Sequence, residues 1–193
     1  MYEPKEGDRE AFRKKFGLSD TDKVIISVGL YIERKGILDF VEMAKEMPDY
    51  KFIWFGKTPL WSVPMKIVKA VKTKLPNLIF AGYVQPDELK QAYVGCDCYI
   101  FPTFEETEGI VLLEALAAGA DVIIRDIPVF GWLKKNEDCY MAADKADFIK
   151  KIRQLESGEL PSLSENGRAA VEDMDLKKVG ERLAQFYNGS ISE

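Results

Sequence analysis

Histidine is absent from the 193 residues, so the commonest general base near neutral pH is missing and acid or base work falls to carboxylates or to another chain. Cysteine is scarce. Cys96, Cys98 and Cys139 are odd in number and lack metal-ligand spacing partners, which argues against a zinc site or a disulfide framework. Cys96 and Cys98 flank Asp97 at the mouth of an apolar run and read as small core residues in a reducing compartment. No run approaches the ~20 apolar residues that span a bilayer, and the charged start Met1 to Glu10 is unlike a signal peptide. A soluble cytoplasmic chain is expected, with a peripheral contact at the inner face of a membrane left open. Positive charge is also in deficit, 27 Lys+Arg against 32 Asp+Glu, and the net −5 argues against nucleic acid as a partner. Any anion site must be built locally.

The chain has 47% hydrophobic residues, enough for one well-packed core and too few for two full-sized domains at this length. Lys23 to Val28 is a β-branched run ending at Gly29, the pattern of a buried parallel strand. Ile37, Phe40, Val41 and Ala44 then recur at helical spacing, and Lys51 to Phe55 supplies the next strand. The alternation continues with a helix over Ser62 to Lys74, a strand over Leu78 to Ala81, and a helix with Pro86 in its first turn. A strand over Cys98 to Phe101, a helix over Val111 to Ala118 closed by Gly119, and a strand over Asp121 to Arg125 follow. Tyr140 and Met141 suit a short edge strand, with helices around Ala146 to Leu155 and Leu176 to Tyr187. Strands separated by helix-length segments predict an α/β fold, a doubly wound parallel sheet with helices on both faces. Its ligands belong at the carboxyl ends of the strands, after Val28, Phe55, Ala81 and Phe101.

One segment concentrates the chemistry: FPTFEETEGIVLLEALAAG, Phe101 to Gly119. A strand ends at Pro102, a loop carries Glu105, Glu106 and Glu108, and an apolar helix starts directly after Gly109. The backbone N–H groups of Gly109, Ile110 and Val111 therefore sit at the positive end of a helix, where phosphate binds well. Glu114 stands among Leu112, Leu113, Ala115, Leu116 and Ala117, so its carboxylate either reaches a ligand such as a ribose or snorkels to solvent. Arg34 and Lys35, in the loop after the first strand, are either solvated surface charges or phosphate ligands.

Glu106 to Glu114, with the trailing Ala115 to Gly119, resembles the E-x7-E motif of the family 4 glycosyltransferases of the GT-B fold. The resemblance extends through Val28 to Gly36, Phe80 to Tyr93 and Asp97 to Thr103, and the form EETEGIVLLEA is similar to bacterial enzymes that glucosylate diacylglycerol and related lipids. It implies the Rossmann-like, nucleotide-sugar-binding half of a retaining enzyme whose acceptor-binding N-terminal domain lies outside this chain. Residues 1–17 would be the interdomain connection and lead-in, and 18–193 the donor domain with a helix returning to the partner domain. By position, Glu114 would bind the donor ribose and Glu106 would face the hexose hydroxyls as the catalytic carboxylate. Lys35 and the backbone of Gly109 to Val111 would hold the diphosphate, and the backbone of Tyr83 and Val84 would meet the base of a UDP-hexose. Glu106 on the hexose side implies that neutralising it leaves UDP binding unchanged. No metal and no further cofactor is expected. Leu30 stands where the family often has a basic residue, so Arg34 is the candidate second cation, and Thr107 and Glu108 replace the family's Gly-Phe pair. A donor subunit of a two-chain transferase and a non-catalytic nucleotide-sugar module remain as alternatives.

The helix predicted over Ser62 to Lys74 has Val63, Ile67, Ala70 and Val71 on one side and Lys66, Lys69 and Lys72 on another, with Met65 among them and Trp61 upstream. Its readings are a sheet-packed helix with a wet face, or a peripheral contact with anionic lipid.

Overall fold

The computed structural model describes residues 4–174 and 176–190. Six parallel strands form one sheet: β1 (Lys23–Val28), β2 (Tyr50–Phe55), β3 (Leu78–Gly82), β4 (Cys98–Phe101), β5 (Val122–Arg125) and β6 (Tyr140–Ala142). Their order is β3-β2-β1-β4-β5-β6, with Ile25 opposite Phe52 on one side and Cys98 on the other. The helices are α1 (Asp8–Phe16), α2 (Ile37–Glu46), α3 (Met65–Val71), α4 (Pro86–Gly95), α5 (Ile110–Ala117), α6 (Lys145–Glu156), α7 (Ser164–Ala170) and α8 (Leu176–Ser190).

Alternate residues of each strand feed two cores, as the two-residue period of a strand requires. From β1, Val24, Ile26 and Val28 join Phe12, Tyr93, Leu112 and Leu116, so α1, α4 and α5 cover one face. Ile25 joins Phe40, Ile67 and Phe148, so α2, α3 and α6 cover the other. Trp54 is fully buried there, its ring edge-on to Phe40 at 5.1 Å. The three cysteines are free and buried, which fits their reading as core residues. Burial and the nearby Asp138 push the Cys139 thiol up to about 12.

Two local expectations change. The helix predicted from Ser62 begins instead at Met65, because Pro64 keeps the preceding Val63 extended, at φ −118° and ψ 154°, and a separate 3-10 turn occupies Leu60–Ser62. Residues 8–16, read as part of an interdomain connection and entry and given no helix of their own, form α1, which its low hydrophobicity concealed. Phe12 is the apolar anchor of that helix, so close to α4 that a Cβ on Gly95 would lie 2.3 Å from its ring. Arg13, 3% exposed, is held by Asp97 at 2.9 Å and by the Asp22 carbonyl at 3.1 Å, so a buried cation replaces the missing apolar stripe.

Because β1 lies between β2 and β4, the chain changes its direction of growth across the sheet after β3. That switch opens a crevice beyond the carboxyl ends of β1 and β4.

Candidate functional site

Two loops meet in this crevice. The loop after β1 makes a 3-10 turn over Glu33–Lys35 and enters α2 through Gly36, whose φ of 77° is left-handed. A Cβ on Gly36 would sit 2.2 Å from the Pro102 carbonyl oxygen, so this turn can lie directly on the loop after β4 only with glycine there. Phe104 donates its N–H to the Arg34 carbonyl at 2.7 Å, and the Arg34 guanidinium returns a bond to the Glu105 carbonyl at 3.0 Å. The Thr103 hydroxyl lies 3.0 Å from the Arg34 carbonyl and 2.9 Å from that of Glu105.

This stitching brings Lys35 against Glu106. The ammonium donates to the Glu106 carboxylate and lies 5.5 Å from the centre of the Phe101 ring, while the other carboxylate oxygen accepts the Thr107 N–H at 3.0 Å. Both side chains are largely covered, 13% exposed for Lys35 and 8% for Glu106. Burial alone would raise the Glu106 carboxyl, but the Lys35 and Thr107 hydrogen bonds and the charges of Lys35 and Arg34 outweigh it and hold the group below the ordinary glutamate range. Glu106 is therefore ionised at neutral pH.

Gly109 precedes α5 with φ 74°, buried against Phe101 and Phe130, and no side chain caps the helix. Its carbonyl takes the Leu112 and Leu113 N–H groups, whereas the N–H groups of Gly109, Ile110 and Val111 have no intrahelical acceptor. The expected anion cradle, Gly109 to Val111, is thus at the mouth of the crevice, with Ile110 exposed and Leu112 buried. One turn deeper, Glu114 is half-buried and accepts the Tyr93 hydroxyl at 3.3 Å. Burial raises its carboxyl, and the Tyr93 bond only partly opposes this. The bond also ties α5 to α4, whose amino end follows Tyr83 and Val84. Tyr83 is exposed and Val84 packs on the core, so these two lie at the sheet's carboxyl edge, on the face that carries Glu114.

Arg34, Lys35, Glu106 and Gly109 thus meet where the loops after β1 and β4 join, Ile110, Val111 and Glu114 follow on α5, and Tyr83 and Val84 follow the end of β3. The arrangement offers cations and unpaired N–H donors beside two carboxylates, one held below and one raised above the ordinary glutamate range, which suits a ligand that is anionic at one point and hydroxylated on both sides of it. Arg125 escaped the sequence reading. It is 6% exposed, donates to the Pro102 carbonyl at 3.1 Å and to Asp39 at 2.5 Å, and lies 3.9 Å beneath the Phe104 ring. It supports the glutamate loop from behind, and an arginine closing the apolar run VIIR was its signal. Tyr93 went unmarked as a Glu114 partner because it occupies an ordinary apolar helix position.

The opposite edge of the sheet has a concavity of about 600 Å³ lined by Asp20, Lys23, Asp97, Asp121 and Glu156. Four of these five charges are already matched, Asp97 with Arg9 and Arg13, Lys23 with Glu156, and Asp121 with the Ser162 hydroxyl and the Leu163 N–H. None of the predicted site residues lines it. An Asp-x-Asp sequence that the sequence reading passed over, Asp20-Thr21-Asp22, lies here, and Asp22 accepts from the Ser19 N–H and hydroxyl, the geometry of a turn. Among the described residues no group of three His, Cys, Asp or Glu is placed to hold a metal ion.

The chain is similar to known proteins. A processive diacylglycerol alpha-glucosyltransferase of Acholeplasma laidlawii is 43% identical over 187 residues, 96% of this chain and 56% of that protein. Anabaena Alr3699/HepE in complex with UDP-glucose superposes with a TM-score of 0.84 at 16% identity, over 97% of this chain and 54% of that one. The C-terminal domain of a glycosyl transferase group 1 family protein, LpcC of Francisella tularensis, gives 0.68 at 22% identity, over 89% of this chain and 94% of that one. The chain therefore spans about half the length of the full-length relatives it matches. The family profile described as Glycosyl transferases group 1 matches residues 8–172, and with that the chain belongs to this family and carries the Rossmann-like α/β fold of the GT-B glycosyltransferases.

Proposed function

We propose that this chain is the donor-binding half of a family 4 retaining hexosyltransferase that moves a hexose from UDP-hexose to a lipid or saccharide acceptor held by a second domain. The observation that carries the reading is the meeting of Lys35, Glu106 and the first turn of α5 in one crevice, with Glu114 one turn deeper. In this reading the N–H groups of Gly109 to Val111 bind the diphosphate together with Lys35 and Arg34. Glu114 and its Tyr93 partner receive the ribose hydroxyls, and the backbone at Tyr83 and Val84 meets uracil. Glu106 faces the hexose. As the bond from the anomeric carbon to the diphosphate breaks, the new bond to the acceptor oxygen forms on the same face of the sugar, and the acceptor hydroxyl's proton passes to the departing phosphate oxygen. The diphosphate leaves with its charge met by the cations and the helix terminus in place of a metal. The UDP-glucose complex of the Anabaena structure and the diacylglycerol-glucosylating relative support the donor and the acceptor class.

Calorimetry with UDP in the presence of a chelator tests the reading. Heat of binding for UDP and UDP-hexose, without transfer by this chain alone, is expected, because the phosphate site is local while the acceptor side belongs to the second domain. Absence of binding to any nucleotide at millimolar concentration would contradict it.

A further inference from the structure

Charge is unevenly distributed along this acidic chain. From Tyr50 to Pro86 there are six lysines and no aspartate or glutamate, whereas the rest of the chain carries 21 Lys+Arg against 32 Asp+Glu. Lys57, Lys66, Lys69, Lys72 and Lys74 are all exposed. Of these, Lys66 alone pairs with a carboxylate among the described residues, Glu33, and that pair is itself half in solvent, 52% and 54% exposed. Surface pairs of this kind hold a lysine weakly.

The same segment displays large apolar groups. Trp61 is 89% exposed and Met65 is 67% exposed, although Leu60 and Val63 between and beside them pack on the core below. The turn is therefore anchored from beneath while its tryptophan stands outward. Ile67 and Ala70 bury the inner side of α3 and leave Lys66, Lys69 and Lys72 outside. Thr58 accepts the Tyr31 N–H at 2.9 Å, which fixes this loop beside the loop that carries Lys35. The patch thus borders the crevice on the carboxyl edge of the sheet.

We infer that Trp61, Met65 and the lysines of α3 form a docking surface for a bilayer carrying anionic lipid headgroups. A sheet-packed helix with a merely wet outer face requires neither an outward tryptophan nor a segment purged of acids. An indole at the headgroup level with lysines beside it is the arrangement that interfacial binding rewards. The long lysine stems let the ammonium groups meet phosphates while Trp61 and Met65 enter the acyl boundary. Docked this way, the crevice opens near the membrane surface. The inference stands on this patch and not on the identity of the donor.

Co-sedimentation of the chain with vesicles tests it. Binding is expected to vesicles of equal phosphatidylglycerol and phosphatidylcholine, weakly or not at all to phosphatidylcholine alone, and to fall as salt rises from about 0.1 M to about 1 M and the screening length shrinks from about 10 Å to about 3 Å. Each lysine changed to glutamine is expected to lower the partition coefficient roughly fivefold. The pair Trp61→Ser, Met65→Ser is expected to lower it by about tenfold or more. All variants should keep the melting temperature and the UDP affinity of the parent. Brominated lipid should quench fluorescence in the parent and not in Trp61→Phe. Binding indifferent to anionic lipid, quenching retained in Trp61→Phe, or a concentration-dependent dimer lost in the Trp61 variant without any vesicle binding would each overturn the inference.

Discussion

Glu106→Gln separates the geometry of this site from its sequence motif. The motif places Glu106 on the hexose, from which UDP binding should not respond to the substitution. In the structure the carboxylate also neutralises Lys35, the cation proposed to meet the diphosphate, with both side chains largely covered. At an effective dielectric of about 20, opposite charges ~4 Å apart attract by ~4 kcal/mol. A bound diphosphate restores most of that attraction to Lys35, so the net cost of displacing Glu106 is a fraction of it, about 1.4 kcal/mol. That corresponds to tenfold in Kd. Glu106→Gln is therefore expected to bind UDP roughly tenfold more tightly, while Lys35→Met binds more weakly and the double variant resembles Lys35→Met. Transfer by a reassembled full-length enzyme should nevertheless fall in Glu106→Gln, because the carboxylate beside the hexose is lost. The variant should also be less stable at neutral pH. The folded carboxyl titrates below the ordinary range, so its contribution is complete above that range and disappears as pH falls through the depressed value. Calorimetric titration of UDP into the four proteins is the assay. Equal affinities for wild type and Glu106→Gln would refute the competition between carboxylate and phosphate.

Two further substitutions probe neighbouring parts of the site. Glu114→Gln is expected to weaken UDP by about 1.5 to 3 kcal/mol through lost ribose contacts, yet to raise the melting temperature of the unliganded chain at neutral pH. Its folded carboxyl is raised by burial, so ionising it costs stability as pH rises through the ordinary glutamate range to the raised value, and thermal melts at pH 4 and pH 7 read that cost. Gly36→Ala combines a left-handed φ with a Cβ driven into the Pro102 carbonyl, and should destabilise the fold by roughly 2 to 4 kcal/mol in denaturant titrations.

The sheet was legible because strands buried on both faces are written as continuous β-branched and aromatic runs, KVIISV and KFIWF among them. Helix α1 was not, since a nine-residue segment with two phenylalanines and a buried arginine has no apolar stripe to find, and its partner Asp97 lies 84 residues away. The start of α3 was misplaced because apolar spacing ran through Pro64 while that residue's backbone stayed extended. Within the site, the helix amino terminus after Gly109 followed from local sequence. The contact of Lys35 with Glu106 joins loops 71 residues apart, and the packing of Gly36 on Pro102 with the Arg34 bonds to Phe104, Thr103 and Glu105 creates it.

The location of the nucleotide is the central claim, and backbone amide shifts during a titration of isotope-labelled chain with UDP in chelator test it most directly. The largest shifts are expected at Gly109, Ile110 and Val111, with Lys35, Tyr83 and Val84 following at the same Kd, and none at Asp20, Asp97 or Asp121 on the opposite edge. Shifts confined to that opposite concavity, with the first turn of α5 unmoved at saturation, would contradict the account.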